Sequence, residues 1–177
     1  MTVQRLLVRR LGEELRGVEI LALNGHGFQA ISAAASVFEQ SHFLTYAASD
    51  EEVAEKYLNW SDHTKSVATV QGVVEKSGRA RGWSKARAKE EYEKYRFLCG
   101  FKHNNAFMQR ILLHPKDSDV ILAQLSISDA CWFTLTSMGL VAALTLSNNS
   151  AAYVLNHCNE IMDAVKDAVP RLSQDAV

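Results

Sequence analysis

Proline is scarce in this chain. Only Pro115 and Pro170 occur in 177 residues, so long stretches are free of the residue that interrupts helices. Charge imbalance is also lacking. The net charge of −1 excludes a global field that would draw the whole chain to nucleic acid or to an acidic membrane, so any such attraction must come from a local patch. The three cysteines, Cys99, Cys131 and Cys158, lie far apart and form no paired spacing, which argues against a disulfide framework or a zinc knuckle. They read as reduced thiols of a cytoplasmic protein. There is no glycine-rich phosphate loop, serine nucleophile elbow or HExxH pair. The N-terminus shows no short apolar core followed by a small-residue cleavage site, so no signal peptide is expected.

What is present is apolar residues at helical spacing. Hydrophobic residues make up 47% of the chain, enough for one sizeable core over 1–177. Val3, Leu7, Leu11, Leu15 and Val18 mark a first amphipathic helix that "NGHG" at 24–27 ends. A second helix is expected from Phe28 to Ala48, rich in small residues that let neighbours approach. "SDEE" at 49–52 supplies a cap and acids for a third, running to about Lys76. "KSGRARGWS" breaks it, and Ser84 caps a fourth over 85–102. "HPKDSD" at 114–119 reads as a turn between two short apolar pieces, which together suggest a small β-hairpin near 106–125. Ser126 or Ser128 starts a long apolar helix, "SNNS" at 147–150 punctuates it, and a last helix covers about 151–169. The pattern predicts an all-α fold, a single antiparallel bundle of five to six helices. The uncharged run from Ala130 to Leu146 is slightly short for a membrane span and has no basic flanks, so it is assigned to the bundle and no membrane partner is expected.

One row carries chemistry. Tyr92, Arg96, Cys99 and His103 return to one face of a helix, with Tyr95 beside them and Asn104 just beyond. Arg96 and His103, seven apart, lie within about 20° of each other on a continuous helix and roughly 10 Å apart along its axis. An imidazole can move a proton near neutral pH. A guanidinium is a permanent cation whose fork suits phosphate oxygens. Together they offer what cutting RNA without a metal requires: a base for the 2′-hydroxyl and a cation for the charge that builds on phosphorus. The structural alternative has Arg96 reaching to solvent and His103 capping the helix C-terminus, where the dipole favours it.

The spacing Arg96-x6-His103 on a late helix of an all-α chain resembles the R-x(4–6)-H signature of the HEPN superfamily. "ASVFEQSHFLTY", "EEVAEKYLNW" and "YEKYRFLCGFKHNN" are similar to segments of HEPN-like bacterial proteins, over roughly residues 20–145. The resemblance implies a homodimer in which the Arg and His rows of two protomers meet in one cleft. It implies either a metal-independent endoribonuclease of a toxin–antitoxin or phage-defence system, with an antitoxin protein as a partner, or a relative that has lost the activity and only dimerises or binds partners. Arg96 and His103 are then the catalytic candidates, with Glu39, Tyr92, Tyr95 and Asn104 in support, and no cofactor is needed. Phe97 stands where active nucleases of this kind often carry a polar residue, and the six-residue spacer is at the long limit.

Two further groups have a claim. Glu39, an acid on an otherwise apolar helix, is expected either to pair with Arg96 or His103 or to face solvent. Glu39-x-x-His42 is also half of a di-iron bundle motif, and Glu39, His42 and His103 form a weaker metal-binding alternative, but the second half of the motif is missing. Lys76, Arg79, Arg81, Lys85, Arg87 and Lys89 form an acid-free basic stretch around Trp83, a composition suited to phosphates and a stacked base of RNA. The alternative is a solvated charge run, diluted by Glu90, Glu91 and Glu93.

Overall fold

The computed structural model describes residues 2–61, 68–103 and 115–174. Among these residues the chain is helical, with no strand. Seven helices follow in order: α1 Thr2–Leu23, α2 Gly27–Ser49, α3 Glu51–Leu58, α4 Val70–Ala80, α5 Lys85–Lys102, α6 Pro115–Thr145 and α7 Asn148–Gln174.

Local signals explain most of the boundaries. Gly25 takes φ 76° past the end of α1, where His26 N–H donates to Leu21 C=O (2.9 Å) and Gly25 N–H to Ala22 C=O (3.2 Å). This left-handed stop satisfies carbonyls that the helix end would otherwise orphan. Asp50 closes α2 and caps α3, its carboxylate accepting from Val53 N–H (3.3 Å). The same stop recurs at Gly82 (φ 71°), with Trp83 N–H on Gly78 C=O (2.8 Å) and Gly82 N–H on Arg79 C=O (3.0 Å). Ser84 then caps α5 by accepting from Arg87 N–H (3.2 Å). Helices α4 and α5 therefore form a tight helical hairpin. Gly78 sits at its closest point, where a Cβ would come within 3.2 Å of the Trp83 ring and 3.4 Å of Ala88.

Two expectations about the elements need correction. The third helix does not run to Lys76. It ends at Leu58, capped by Asn59, and α4 starts afresh at Thr69, whose hydroxyl accepts from Gly72 N–H (3.2 Å). The "HPKDSD" turn and the second arm of the expected hairpin are helical from Pro115 onward, and α6 begins there rather than at Ser126 or Ser128. Proline fits the first helical turn because its missing N–H has no partner there anyway. The first arm, 106–114, lies outside the described residues. The last helix likewise starts at Asn148 and continues past Pro170.

The core is built around α2, which packs against α1, α3, α4, α5 and α6. Ala30, Ala34 and Ala35 are fully buried and keep the neighbouring helices close. Phe38 is the hub: Phe133 meets it edge-on (4.9 Å), Tyr95 stacks on it (5.3 Å) and the His42 ring lies 4.4 Å away. The stripe Val3, Leu7, Leu11 and Val18 of α1 is buried as its spacing predicts. Among the described residues, helix α7 packs substantially against α6 alone, through a separate small cluster of Leu135, Cys158 and Met162. Leu122–Leu144 is long and apolar enough to cross a membrane by length and composition. Its buried side, including Leu122, Ala130, Phe133 and Val141, belongs to the core.

Candidate nucleic-acid interface on the α4–α5 flank

Helix α5 turns Ala88, Glu91, Leu98 and Phe101 inward. At 100° per residue, Lys85, Lys89, Tyr92, Arg96 and His103 fall within a stripe about 60° wide on one flank. Arg96 and His103 are both exposed on that flank. Arg96 is occupied by its own helix: Nη1 donates to both carboxylate oxygens of Glu93, at 3.1 and 3.2 Å. The pair is more than half exposed, so it is worth about 0–1 kcal/mol and exchanges readily for another anion. His103 caps α5, its N–H donating to Cys99 C=O (3.0 Å). Asn104 lies outside the described residues.

The supporting residues split. Glu39 meets neither Arg96 nor His103. Its carboxylate accepts from the Tyr95 hydroxyl at 2.8 Å and so ties α2 to α5. Burial first, then hydrogen bonding with Cys99 and Glu39, pushes the Tyr95 hydroxyl well above its ordinary value, so it stays a donor. Tyr92, half-buried on the flank, stacks on Tyr95 with ring centroids 5.9 Å apart.

The basic stretch is divided in the same way. Arg81 turns inward and donates to Ser137 (2.7 Å), Thr45 (2.9 Å) and Thr136 (3.3 Å), linking the hairpin turn to α2 and α6. Burial pushes its pKa down to about 10 while Glu91 holds it up, so it remains charged at neutral pH. Arg87 lies near Glu90 (3.5 Å) and Glu91 (3.7 Å). Arg81 and Arg87 both sit over the Trp83 ring, at 5.1 and 5.7 Å. Lys76 rests 6.0 Å above the Tyr46 ring. That leaves Arg79, Lys85 and Lys89, which are exposed and have no carboxylate within ion-pair distance among the described residues.

Those three cations share a groove of about 350 Å³ between α4 and α5. Gln71, Glu75 and Arg79, spaced by four, form the α4 wall; Lys85, Lys89 and Tyr92 form the α5 wall. The methyl of Ala88 contributes to the floor and Trp83 closes the turn end. The structure thus gathers five of the sequence-predicted residues here, Arg79, Trp83, Lys85, Lys89 and Tyr92, on the α5 flank that continues to Arg96 and His103. Arg81, Arg87, Lys76 and Glu39 serve other contacts.

A second polar cluster escaped the sequence reading. Beneath the hairpin, His42 Nδ1 lies 2.6 Å from the Ser77 hydroxyl and Nε2 lies 3.9 Å from Glu91 Oε1. Glu91 is held in turn by Lys94 at 3.0 Å. Burial, with Arg81 and Lys94 adding to it, pushes His42 down to about 3. The imidazole is therefore neutral, and its approach to Glu91 is not an ion pair. The Ser77 hydroxyl also lies 3.2 Å from Val74 C=O, and the direction of its bond with Nδ1 follows the imidazole's tautomer. Ser77, His42 and Glu91 are in the order of a nucleophile, base and acid, but each is at most 1% exposed, so no substrate reaches them. Their role is to join α2, α4 and α5. The sequence signal was His42 and Thr45 on the buried face of an apolar helix; Glu91 was hidden within a run of surface charges.

No group of three or more His, Cys, Asp or Glu side chains is placed to hold a metal ion among the described residues. Glu39 and His42 turn to different partners, Tyr95 and Ser77. No family model, curated protein or solved structure matches the chain.

Proposed function

We propose that this is a cytoplasmic, HEPN-like single-domain helical bundle that binds single-stranded RNA along the α4–α5 flank. Arg96 and His103 form the cleaving pair of a metal-independent endoribonuclease that works as a homodimer in a toxin–antitoxin or phage-defence setting. The observation that carries the reading is the groove: three cations without carboxylate partners among the described residues and two aromatic rings line one surface, and the same helix flank leads to Arg96 and His103. Phosphates sit on Arg79, Lys85 and Lys89, and ring surface of Tyr92 takes a base, while Trp83, already covered by Arg81 and Arg87, closes the end of the groove. At the far end His103 removes the 2′-hydroxyl proton, the 2′-oxygen attacks phosphorus, and the 5′-oxygen leaves as a hydroxyl by taking a proton from water, giving a 2′,3′-cyclic phosphate. Arg96 exchanges Glu93 for the phosphoryl oxygens and stabilises their growing charge.

The test is RNA cleavage in excess chelator by the wild type, Arg96→Ala and His103→Ala. Loss of about 100-fold or more in each variant is expected of a base and an anion clamp; equal rates in all three reject the pair. The Glu93 contact on Arg96 and the exposed Phe97 favour a second reading, a non-catalytic module that binds RNA or a partner protein without cutting. In that case RNA binding persists, no cleavage is seen, and Lys85→Ala with Lys89→Ala still lowers the salt slope by about 1.4.

A further inference from the structure

The groove contains one side chain that does not belong in a purely phosphate-binding surface. Glu75 is the single carboxylate among its lining residues, set on the α4 wall one turn from Arg79. It is held in place rather than neutralised: Gln71 Nε2 donates to Glu75 Oε1 at 3.1 Å, and no cation lies within ion-pair distance among the described residues. Arg79 is four residues on, Lys89 stands on the facing wall, and neither closes on it. A carboxylate in that position repels the backbone of a bound strand. It becomes useful only if it meets a group that donates hydrogen bonds.

We propose that Glu75 reads guanine, making the groove a base-specific pocket for a G within the bound RNA; this rests on the RNA-binding reading above. Guanine alone among the four bases presents two adjacent donors, N1–H and N2–H, on its Watson–Crick edge. A carboxylate accepts both at once. Adenine and cytosine each place a ring-nitrogen acceptor beside their single amino group, and uracil places a carbonyl on either side of its one N–H, so each sets a lone pair against the carboxylate. Gln71 fixes one oxygen without using it up, because each carboxylate oxygen has two acceptor sites. Tyr92 offers ring surface for the base plane, and Arg79, Lys85 and Lys89 hold the flanking phosphates. A groove of about 350 Å³ holds one base with part of its ribose, not a run of bases.

The experiment measures binding of 2′-O-methyl heptamers, which 2′-hydroxyl attack cannot cut, by fluorescence anisotropy. One heptamer is all U; three others carry a single central G, A or C. The G heptamer is expected to bind about tenfold tighter than the rest, the discrimination of one good bidentate contact. Glu75→Gln should level the four heptamers to within about twofold while binding the all-U strand as tightly or more tightly, since it removes a negative charge. Circular dichroism confirms that the variant is folded. Equal binding of all four by the native protein overturns the proposal, as does a G preference that survives in Glu75→Gln. Salt-dependent all-U binding without discrimination sinks the guanine pocket and leaves the RNA-binding reading standing; no binding of any heptamer sinks both.

Discussion

The buried imidazole of His42 makes stability depend on acid. Its folded-state pKa is depressed to about 3, whereas the same group in the unfolded chain titrates near 6.5. Between those values the unfolded chain binds a proton that the folded chain refuses, so stability is complete above about pH 6.5 and is lost as pH falls toward 3. At about 1.4 kcal/mol per unit, the loss between pH 6.5 and 4.5 is on the order of 2 kcal/mol. Asp129 works against it: burial raises its carboxyl, so its contribution declines as pH rises through that raised value. Urea midpoints at the two pH values should converge in His42→Gln, and an unchanged pH slope in that variant refutes the assignment. The sequence shows that His42, Ser77 and Glu91 exist but not that they meet. They are 14 to 49 residues apart, and nothing local in "KEEYEK" separates the one buried glutamate from its exposed neighbours. The basic stretch has the same difficulty. Its composition was legible, yet which cations face the groove follows from the turn at Gly82, which sends Arg81 inward and Arg79 out.

At the level of elements, that turn is the feature most exposed to a single substitution. Gly82 sits at φ 71°, where a side chain is strained even though open space surrounds it. Gly82→Ala should cost about 1–2 kcal/mol, read as a lower urea midpoint with an unchanged m-value. On the proposed RNA-binding reading it should also weaken that binding by displacing Trp83, whose own N–H closes the turn. Where a helix boundary was carried by a local device, sequence reading located it: Gly25, Asp50 and Ser84 each mark an end that the structure confirms within a residue or two. It failed where the signal was ambiguous. The stretch 51–76 holds no proline and a single glycine, Gly72, so Asn59 and Thr69 did not stand out as a stop and a start. Around Pro115, short apolar pieces resembled strands because a proline reads as a breaker unless the helix is known to begin on it.

At the scale of the molecule, the seven helices of the described residues are unequally tied. Helix α2 touches five others, while α7 depends on α6 and a cluster of three buried residues. Local openings start where few apolar contacts must break. Amide exchange in α7 is therefore expected to be faster than in α2 by at least two orders of magnitude, with Met162→Ala widening the gap while leaving α2 protection unchanged. Equal protection of the two helices contradicts this ordering.

Arg81 carries a consequence for how the flank meets a ligand. One guanidinium in the hairpin turn is fastened to hydroxyls on α2 and α6, so the closed end of the groove cannot shift without breaking those hydrogen bonds. The receptor wall arrives already shaped. On the proposed RNA-binding reading, the loss of conformational freedom on association would fall on the flexible strand, and shorter or stiffer oligonucleotides would lose less than long, supple ones.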